Sequence, residues 1–135
     1  MLSKVYWTEE YPLGSTYNVS EDFPGKVDFV IIGSGYTGLA AARILAKAGN
    51  SIAVFDEKKI GWGASSRNGG MATPGLKQDI FKIYKKYGIE YAKEFWKASV
   101  DAIDLIENII LEEKINCDWS RNGHIALACK QSHYD

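Results

Sequence analysis

The sequence predicts an α/β fold that begins with a strand–helix–strand unit. An apolar, β-branched run from Val27 to Ile32 stops at a glycine, and a second short apolar run covers 51–55. Between them, residues 36–48 are rich in helix formers, and Gly49 ends the helix. A strand, a helix and a strand within about 30 residues form the βαβ arrangement of a parallel sheet. We expect both strands to be buried, because they are apolar on both faces.

Further elements flank this unit. Residues 1–25 show no sustained helical or strand period, so we expect an extension that drapes over the domain. Downstream, 79–87 predicts a short helix, and about 89–114 predicts a long helix whose apolar positions step by three and four, as in a helix packed on a core. Residues 123–129 predict one more strand. The predicted organisation is an N-terminal extension (1–25), a βαβ unit with a glycine-rich loop (26–78), and a helical segment that starts a second domain (79–135).

The composition is that of an ordinary globular protein. The 135 residues carry a formal net charge of −1 and are 46% hydrophobic, which gives no reason to expect a nucleic-acid partner. No apolar run reaches the roughly 18 residues of a membrane span, and none suits a signal peptide. We therefore expect a cytoplasmic location. The two cysteines, Cys117 and Cys129, lie in no metal-ligand pattern, so we expect reduced thiols and no metal site.

A glycine motif lies where the first strand passes into the helix. The first glycine permits the tight turn, the second lets a pyrophosphate approach the backbone, and the third lets the helix pack closely on the sheet. Backbone N–H groups and the helix dipole then favour the negative charge of the phosphates. The motif predicts a Rossmann-type dinucleotide site, and the alternative is a tight structural turn. Its residues are Gly33, Ser34, Gly35, Tyr36, Thr37 and Gly38.

Acidic residues follow the second strand. Asp56 lies about 20 residues after the motif, where a carboxylate accepts hydrogen bonds from the adenosine ribose. The neighbouring Glu57 could take the same role. A carboxylate at this place repels a 2′-phosphate, so we do not expect an NADP-type cofactor. The alternative is a solvated acid at a strand end.

A second loop of small residues favours a flavin over a nicotinamide cofactor. A simple nicotinamide dehydrogenase would continue into the next strand and helix, whereas 61–75 is rich in glycine. Small residues let the backbone lie against a flat ligand. Serine and asparagine side chains can bond phosphate or ribityl oxygens, and Arg67 can neutralise a pyrophosphate. The alternative is a flexible surface loop. The residues expected to contact the cofactor are Gly63, Ala64, Ser65, Ser66, Arg67, Asn68, Gly69, Gly70 and Met71.

These motifs together resemble a known family. The stretches 28–39 and 60–70, with Tyr6-Trp7 upstream and 116–128 downstream, resemble FAD-dependent amine and amino-acid oxidoreductases of the D-amino-acid oxidase superfamily. The resemblance is to the γ-glutamylputrescine oxidoreductase type in particular. It implies an FAD-type Rossmann βαβ unit with helical additions, FAD as the cofactor, and a small amine or amino acid as the substrate whose C–N bond is oxidised.

The resemblance also implies roles for individual residues. The three motif glycines would hold the pyrophosphate, and Asp56 would hold the adenosine ribose. The loop from Ala64 to Met71 would follow the pyrophosphate and the ribityl chain to the flavin ring, with Gly70 and Met71 nearest the ring.

Members of this family are several times longer than this chain. We therefore interpret the chain as the N-terminal part of such an enzyme, incomplete relative to the family: a fragment, a truncated product, or a split subunit whose partner chain completes the fold. We assign no catalytic acid or base, because those groups would come mostly from sequence outside the chain. Two alternatives stay open, a fragment of an NAD-dependent dehydrogenase and a non-catalytic cofactor-binding subunit or inactive remnant.

Overall fold

The structure is a computed structural model that describes residues 4–12, 23–125, 127 and 129. Its elements alternate between helix and strand in the first half of the chain and are helical in the second. In chain order they are helix α1 (Tyr6–Glu10), strand β1 (Phe29–Ile32), helix α2 (Tyr36–Lys47), strand β2 (Ile52–Phe55), a 3₁₀ turn (Ala64–Ser66), helix α3 (Ile80–Tyr87) and helix α4 (Ile89–Glu113).

Strands β1 and β2 pair in parallel around the crossover helix α2. Phe29 lies opposite Ile52, and Ile32 lies opposite Phe55. The ladder extends by one bond beyond β1, because the N–H of Gly33 donates to the carbonyl of Phe55 at 2.7 Å. The predicted βαβ unit is therefore confirmed.

The burial expected for both strands is not observed. Val30 is 57% exposed, Ile32 is 80% exposed and Val54 is 37% exposed. In the part of the chain that the structure describes, the sheet has only these two strands, and α2 packs on both. An apolar pattern on both faces belongs to a wider, covered sheet, so a two-stranded sheet leaves part of it in solvent.

Part of the N-terminal lead-in is helical, although the sequence predicted no regular structure there. A helix of five residues is too short to show a 3.6-residue period or to be stable by itself. Contacts outside α1 must therefore hold it, and α1 packs against the 3₁₀ turn. Residues 1–3 and 13–22 of the lead-in lie outside the described residues.

The second half of the chain is built on a pair of helices. The chain divides into two compact units, Met1–Gly70 and Met71–Asp135. In the second unit the carboxylate of Asp79 accepts a hydrogen bond from the N–H of Phe81 at 2.9 Å and caps α3. Helices α3 and α4 pack on each other, and each buries one apolar side chain, Ile83 and Ala92.

Both helices match the sequence prediction to within one residue at each end. The apolar stripe of α4 is less covered than expected, since Phe95 is 43% exposed and Ile106 is 41% exposed. No helix among the described residues combines the length and the apolar character needed to cross a membrane.

An ion-pair cluster holds the segment that follows α4. Arg121 lies 2.6 Å from Asp104 and 2.7 Å from Glu107, and the indole N–H of Trp119 donates to Glu107 at 3.0 Å. These hydrogen bonds, that of Trp119 first, lower the pKa of the Glu107 carboxyl. The cluster ties the chain around Trp119 back to the surface of α4.

The strand expected over 123–129 is not formed in its described part. Residues 123–125 lie in no helix or strand, and Ile125 is 83% exposed. Residues 126 and 128 lie outside the described residues. A strand requires a hydrogen-bonded neighbour, and the sheet of the described residues consists of β1 and β2 alone.

The close approach of α2 to β1 depends on Gly38. A Cβ at this position would clash with the carbonyl oxygen of Gly33 and would lie 3.3 Å from the side chain of Ile31. We expect Gly38→Ala to lower the free energy of unfolding by about 1–3 kcal/mol, the usual range for overpacking, measured by urea denaturation. Gly25→Ala is the control, because a Cβ there meets nothing within 4 Å. Equal stability of the two variants would contradict this packing.

Candidate cofactor site

The glycine motif forms the turn from β1 into α2. Gly33 has a φ of 101°, in the left-handed region that favours glycine. Gly35 is the N-cap of α2 and supplies no side-chain cap, while the N–H of Tyr36 donates to the hydroxyl of Ser65 at 3.1 Å. A Cβ on Gly35 would lie 3.1 Å from that same oxygen. A helix N-terminus without a side-chain cap presents N–H groups and the positive end of the dipole, which suits a phosphate.

Ser34 connects this turn to the end of β2. Its side chain is buried, with 3% of the residue exposed, and both its N–H and its hydroxyl donate to Oδ2 of Asp56, each at 2.7 Å. The carbonyl of Ser34 accepts a hydrogen bond from the N–H of Gly61 at 3.2 Å. One residue therefore joins the glycine turn, the end of β2 and the start of the second loop.

Asp56 lies where the sequence placed it, directly after β2. Its Oδ1 also accepts a hydrogen bond from the N–H of Lys58 at 2.9 Å. The hydrogen bonds from the backbone and then the side chain of Ser34 lower the pKa of Asp56 to about 2, because they stabilise the ionised form. A carboxylate has about four acceptor positions, so the three bonds leave room for a ribose hydroxyl. Glu57 is exposed beside it.

The second loop is held by hydrogen bonds of its own. The amide of Asn68 donates to the carbonyls of Ala64 and Ser65, each at 3.0 Å, and its oxygen accepts from the N–H of Gly70 at 2.8 Å. The sequence predicts that Asn68 contacts the cofactor, and it gives no sign of these bonds within the loop. The side chain of Asn68 shapes the loop before any ligand is considered.

One hydroxyl of this loop lacks a partner. Ser66 Oγ is buried, and none of the described residues gives it a hydrogen bond. A buried polar atom without a partner costs roughly 1–3 kcal/mol, so a polar ligand beside it would be stabilising. This orphaned hydroxyl and the N-terminus of α2 fit a polar, anionic chain such as the pyrophosphate and ribityl part of FAD.

Arg67 is stacked on an indole. Its Cζ lies 4.2 Å from the ring centroid of Trp62, and Nζ of Lys58 lies 5.8 Å from the same ring. Nη1 of Arg67 donates to the carbonyl of Gly63 at 3.4 Å, and stacking by the face leaves the other N–H groups available to a phosphate. The predicted role of Arg67 in neutralising a pyrophosphate is therefore compatible with its position.

Two tryptophans contact this region although the sequence analysis did not assign them to the site. Trp62 supports Arg67, and the indole N–H of Trp7 donates to the carbonyl of Asn68 at 2.8 Å. For Trp62, the sequence showed only that an aromatic residue and a cation, Arg67, occur in the same glycine-rich loop. For Trp7 the sequence offered only its place in the family resemblance, because a contact across 61 positions has no local pattern.

The predicted residues are distributed over both units. The motif, Asp56, Glu57 and the loop from Gly63 to Gly70 belong to the first unit, whereas Met71 begins the second and is 81% exposed. The structure joins Ser65 to the start of α2 and Asp56 to Ser34. The contact of Met71 with a flavin ring stays a prediction.

Comparisons with known proteins point to a family of oxidoreductases. The family model of FAD dependent oxidoreductases (DAO) matches residues 28–135. The probable oxidoreductase OrdL of Haemophilus influenzae is 36% identical over 108 residues, which is 80% of this chain and 25% of that protein. The gamma-glutamylputrescine oxidoreductase of Escherichia coli is 36% identical over 105 residues, 77% of this chain and 25% of that protein.

More distant relatives vary in their described chemistry. A putative Rieske 2Fe-2S iron-sulfur protein, YhfW of Bacillus subtilis, is 27% identical over 116 residues, 86% of this chain and 22% of that protein. The chain spans about a quarter of the length of these curated relatives, and no solved structure matches it.

We expect Ser34→Ala to raise the pKa of Asp56 from about 2 toward 3.8, because one donor to the carboxylate is lost while the backbone N–H remains. An NMR titration of the side-chain carboxyl measures this. Ser51→Ala is the matched control, since the hydroxyl of Ser51 donates to Asp28 at 2.6 Å and lowers the pKa of that residue instead. A pKa of Asp56 that is unaltered by Ser34→Ala would refute the assigned hydrogen bond.

The same contact predicts a pH dependence of stability. The pKa of Asp56 is lower in the folded chain than its ordinary value of 3.8, so its contribution is complete above about pH 4 and is lost as the pH falls to about 2. We expect the stability difference between the chain and Ser34→Ala to shrink across this window in urea denaturation. A difference that stays constant from pH 6 to pH 2 would contradict it.

Proposed function

The chain belongs to the family of FAD dependent oxidoreductases, and from that membership we propose that it is the FAD-binding part of an enzyme that oxidises the C–N bond of an amine or amino acid. The family resemblance inferred from the two glycine-rich motifs is confirmed by the matches to OrdL and to gamma-glutamylputrescine oxidoreductase. The amine substrate is taken from the printed name of the second relative, so it belongs to the proposal.

The observation that carries the proposal is the meeting of two loops at one helix end. Ser65 of the second loop approaches the N-terminus of α2, and Ser66 beside it has a buried hydroxyl without a partner among the described residues. A nicotinamide cofactor needs only the glycine turn and the acid after β2. The second loop is the additional surface that a flavin would use.

Different residues of the first unit would bind different parts of the cofactor. The backbone of Gly33 to Gly38 would bind the pyrophosphate, since phosphate suits the N-terminus of α2. Asp56, ionised at neutral pH, would accept hydrogen bonds from the adenosine ribose. Arg67 would balance the charge of the pyrophosphate with a guanidinium that Trp62 already orients.

When bound, FAD supplies the acceptor for the hydride that leaves the α-carbon of the amine. The oxidised substrate is an imine, which water hydrolyses. The residues described above bind and orient the cofactor, and none of them is assigned as a catalytic acid or base.

Two other functions stay as outcomes of the tests. An NAD-dependent dehydrogenase fragment would bind NADH through the glycine turn without use of the second loop. A non-catalytic cofactor-binding subunit or remnant would bind FAD without turnover, or bind neither cofactor. A second chain that completes the fold, and the cytoplasmic location, stay predictions.

We expect the purified chain to bind FAD with quenching of the flavin fluorescence, and Asp56→Asn to weaken that binding about tenfold, because a charged acceptor for the ribose is lost. Asp28→Asn is the matched control. Its carboxylate also binds a serine, Ser51, beside the sheet, but at the start of β1, away from the glycine turn. A chain that ignores FAD and takes up NADH would refute the proposal, as would equal losses in the two variants.

The substrate class is tested on the FAD-loaded protein without oxygen. We expect γ-glutamyl amines to bleach the flavin absorbance near 450 nm and 2-hydroxy acids to leave it unchanged, because the proposal places the oxidised bond between carbon and nitrogen. Bleaching by the hydroxy acids alone would refute the amine assignment. Bound flavin that no amine bleaches would favour the non-catalytic alternative.

A further inference from the structure

Trp7 contacts the second loop through both its polar atom and its ring. The indole N–H donates to the carbonyl of Asn68 at 2.8 Å. The ring covers the α-carbon of Gly70 so closely that a Cβ there would clash with the six-membered ring of the indole. Gly70 has a φ of 68°, which side-chain-bearing residues rarely adopt. The indole can therefore lie against this loop only because position 70 is a glycine with a positive φ.

Helix α1 holds Trp7 in place. The ring of Tyr6 meets the Trp7 indole edge to face at 4.8 Å, and the ring of Tyr11 stacks on it at 6.4 Å. Lys4, which precedes the helix, forms an ion pair with Glu9 at 2.9 Å. Aromatic pairs in these geometries are favoured by their ring quadrupoles in addition to the area that they bury. The indole is therefore held between the rings of Tyr6 and Tyr11 on one side and by the loop on the other.

Asn68 carries the effect of Trp7 into the rest of the loop. Its carbonyl accepts from Trp7, while its side chain bonds the carbonyls of Ala64 and Ser65 and the N–H of Gly70. By holding the carbonyl of Asn68, Trp7 thus also holds the side chain that connects Ala64 and Ser65 to Gly70. Ser66, with its orphaned hydroxyl, lies inside the segment that the network encloses.

We infer that Trp7 is a positioning residue of the cofactor site, which holds the loop from Asn68 to Gly70 in the conformation that binds FAD. The inference rests on the proposed function. The family model begins at residue 28, so this contact comes from a segment that the family match does not include. Trp7 contacts the loop. The phosphates and the ribose would be bound by the residues assigned above.

The first test compares single variants of the full chain. Trp7→Phe removes the N–H donor together with the outer ring that covers Gly70, so we expect FAD to bind about five- to tenfold more weakly. Trp119→Phe is the matched control, because it removes the indole donor to Glu107 in the other unit and is expected to leave FAD affinity within about twofold. The probe is FAD, titrated by its fluorescence.

Two further readouts separate positioning from general stability. In the absence of FAD, we expect the amide of Gly70 to exchange with solvent faster in Trp7→Phe than in the unaltered chain, while the amides of α2 exchange at unaltered rates. With FAD bound, we expect the visible circular dichroism of the flavin to change in Trp7→Phe and not in Trp119→Phe. A purely structural loss would instead accelerate exchange throughout the first unit.

A rescue experiment tests the ring contact. Gly70→Ala is expected to weaken FAD binding more in the unaltered chain than in Trp7→Ala, because the clash exists only with the indole present, whereas the strain at positive φ persists in both. Losses that simply add would overturn the ring contact. Far-ultraviolet circular dichroism confirms that each variant compared is folded.

The outcomes distinguish this inference from the proposed function. Equal FAD affinity of the unaltered chain and Trp7→Phe, with additive losses in the rescue experiment, would overturn the role of Trp7 and leave FAD binding intact. An unaltered chain that does not bind FAD would overturn both.

Discussion

The hydrogen bonds from Ser34 to Asp56 are the constraint on which the first unit depends. They join the tight turn after β1 to the end of β2. They also satisfy the polar atoms of Ser34, which is buried away from water. The carbonyl of Ser34 also accepts a hydrogen bond from the N–H of Gly61. The two loops that a dinucleotide would meet are therefore set by one serine, and the same contact lowers the pKa of the acid that would meet the ribose.

Around this contact, the loops of the site are largely self-supporting. Ser65 gives an acceptor to the N–H of Tyr36, and the side chain of Asn68 bonds its own neighbours. Such arrangements keep backbone groups satisfied in a loop that lacks regular structure. The exception is the hydroxyl of Ser66, which is buried without a partner among the described residues. The guanidinium of Arg67 stacks on Trp62 and donates one long hydrogen bond, 3.4 Å, to the carbonyl of Gly63, so its remaining N–H groups suit an anionic ligand.

The parts of this structure that local sequence determines were predictable. The glycine motif, the bounds of α3 and α4, and the position of Asp56 follow from propensity, capping and spacing, which act within a few residues. The exposure of Ile32 did not follow, because it depends on how many strands and helices surround β1. The helix around Trp7 was missed as well, since the contact that supports it joins residues 61 positions apart. The apolar run at 123–129 could not reveal whether a neighbouring strand is present.

The thin apolar core of this chain has a consequence for how the chain responds to a ligand. Among the described residues, Ile83 and Ala92 are the buried apolar side chains, and both lie in the helical pair, so the sheet contributes little burial of its own. A folded state of small margin gains stability from any ligand that binds it alone, in proportion to the logarithm of the ligand concentration. Under the proposed function that ligand is FAD, so the resistance of this chain to proteolysis would rise with the concentration of FAD around it.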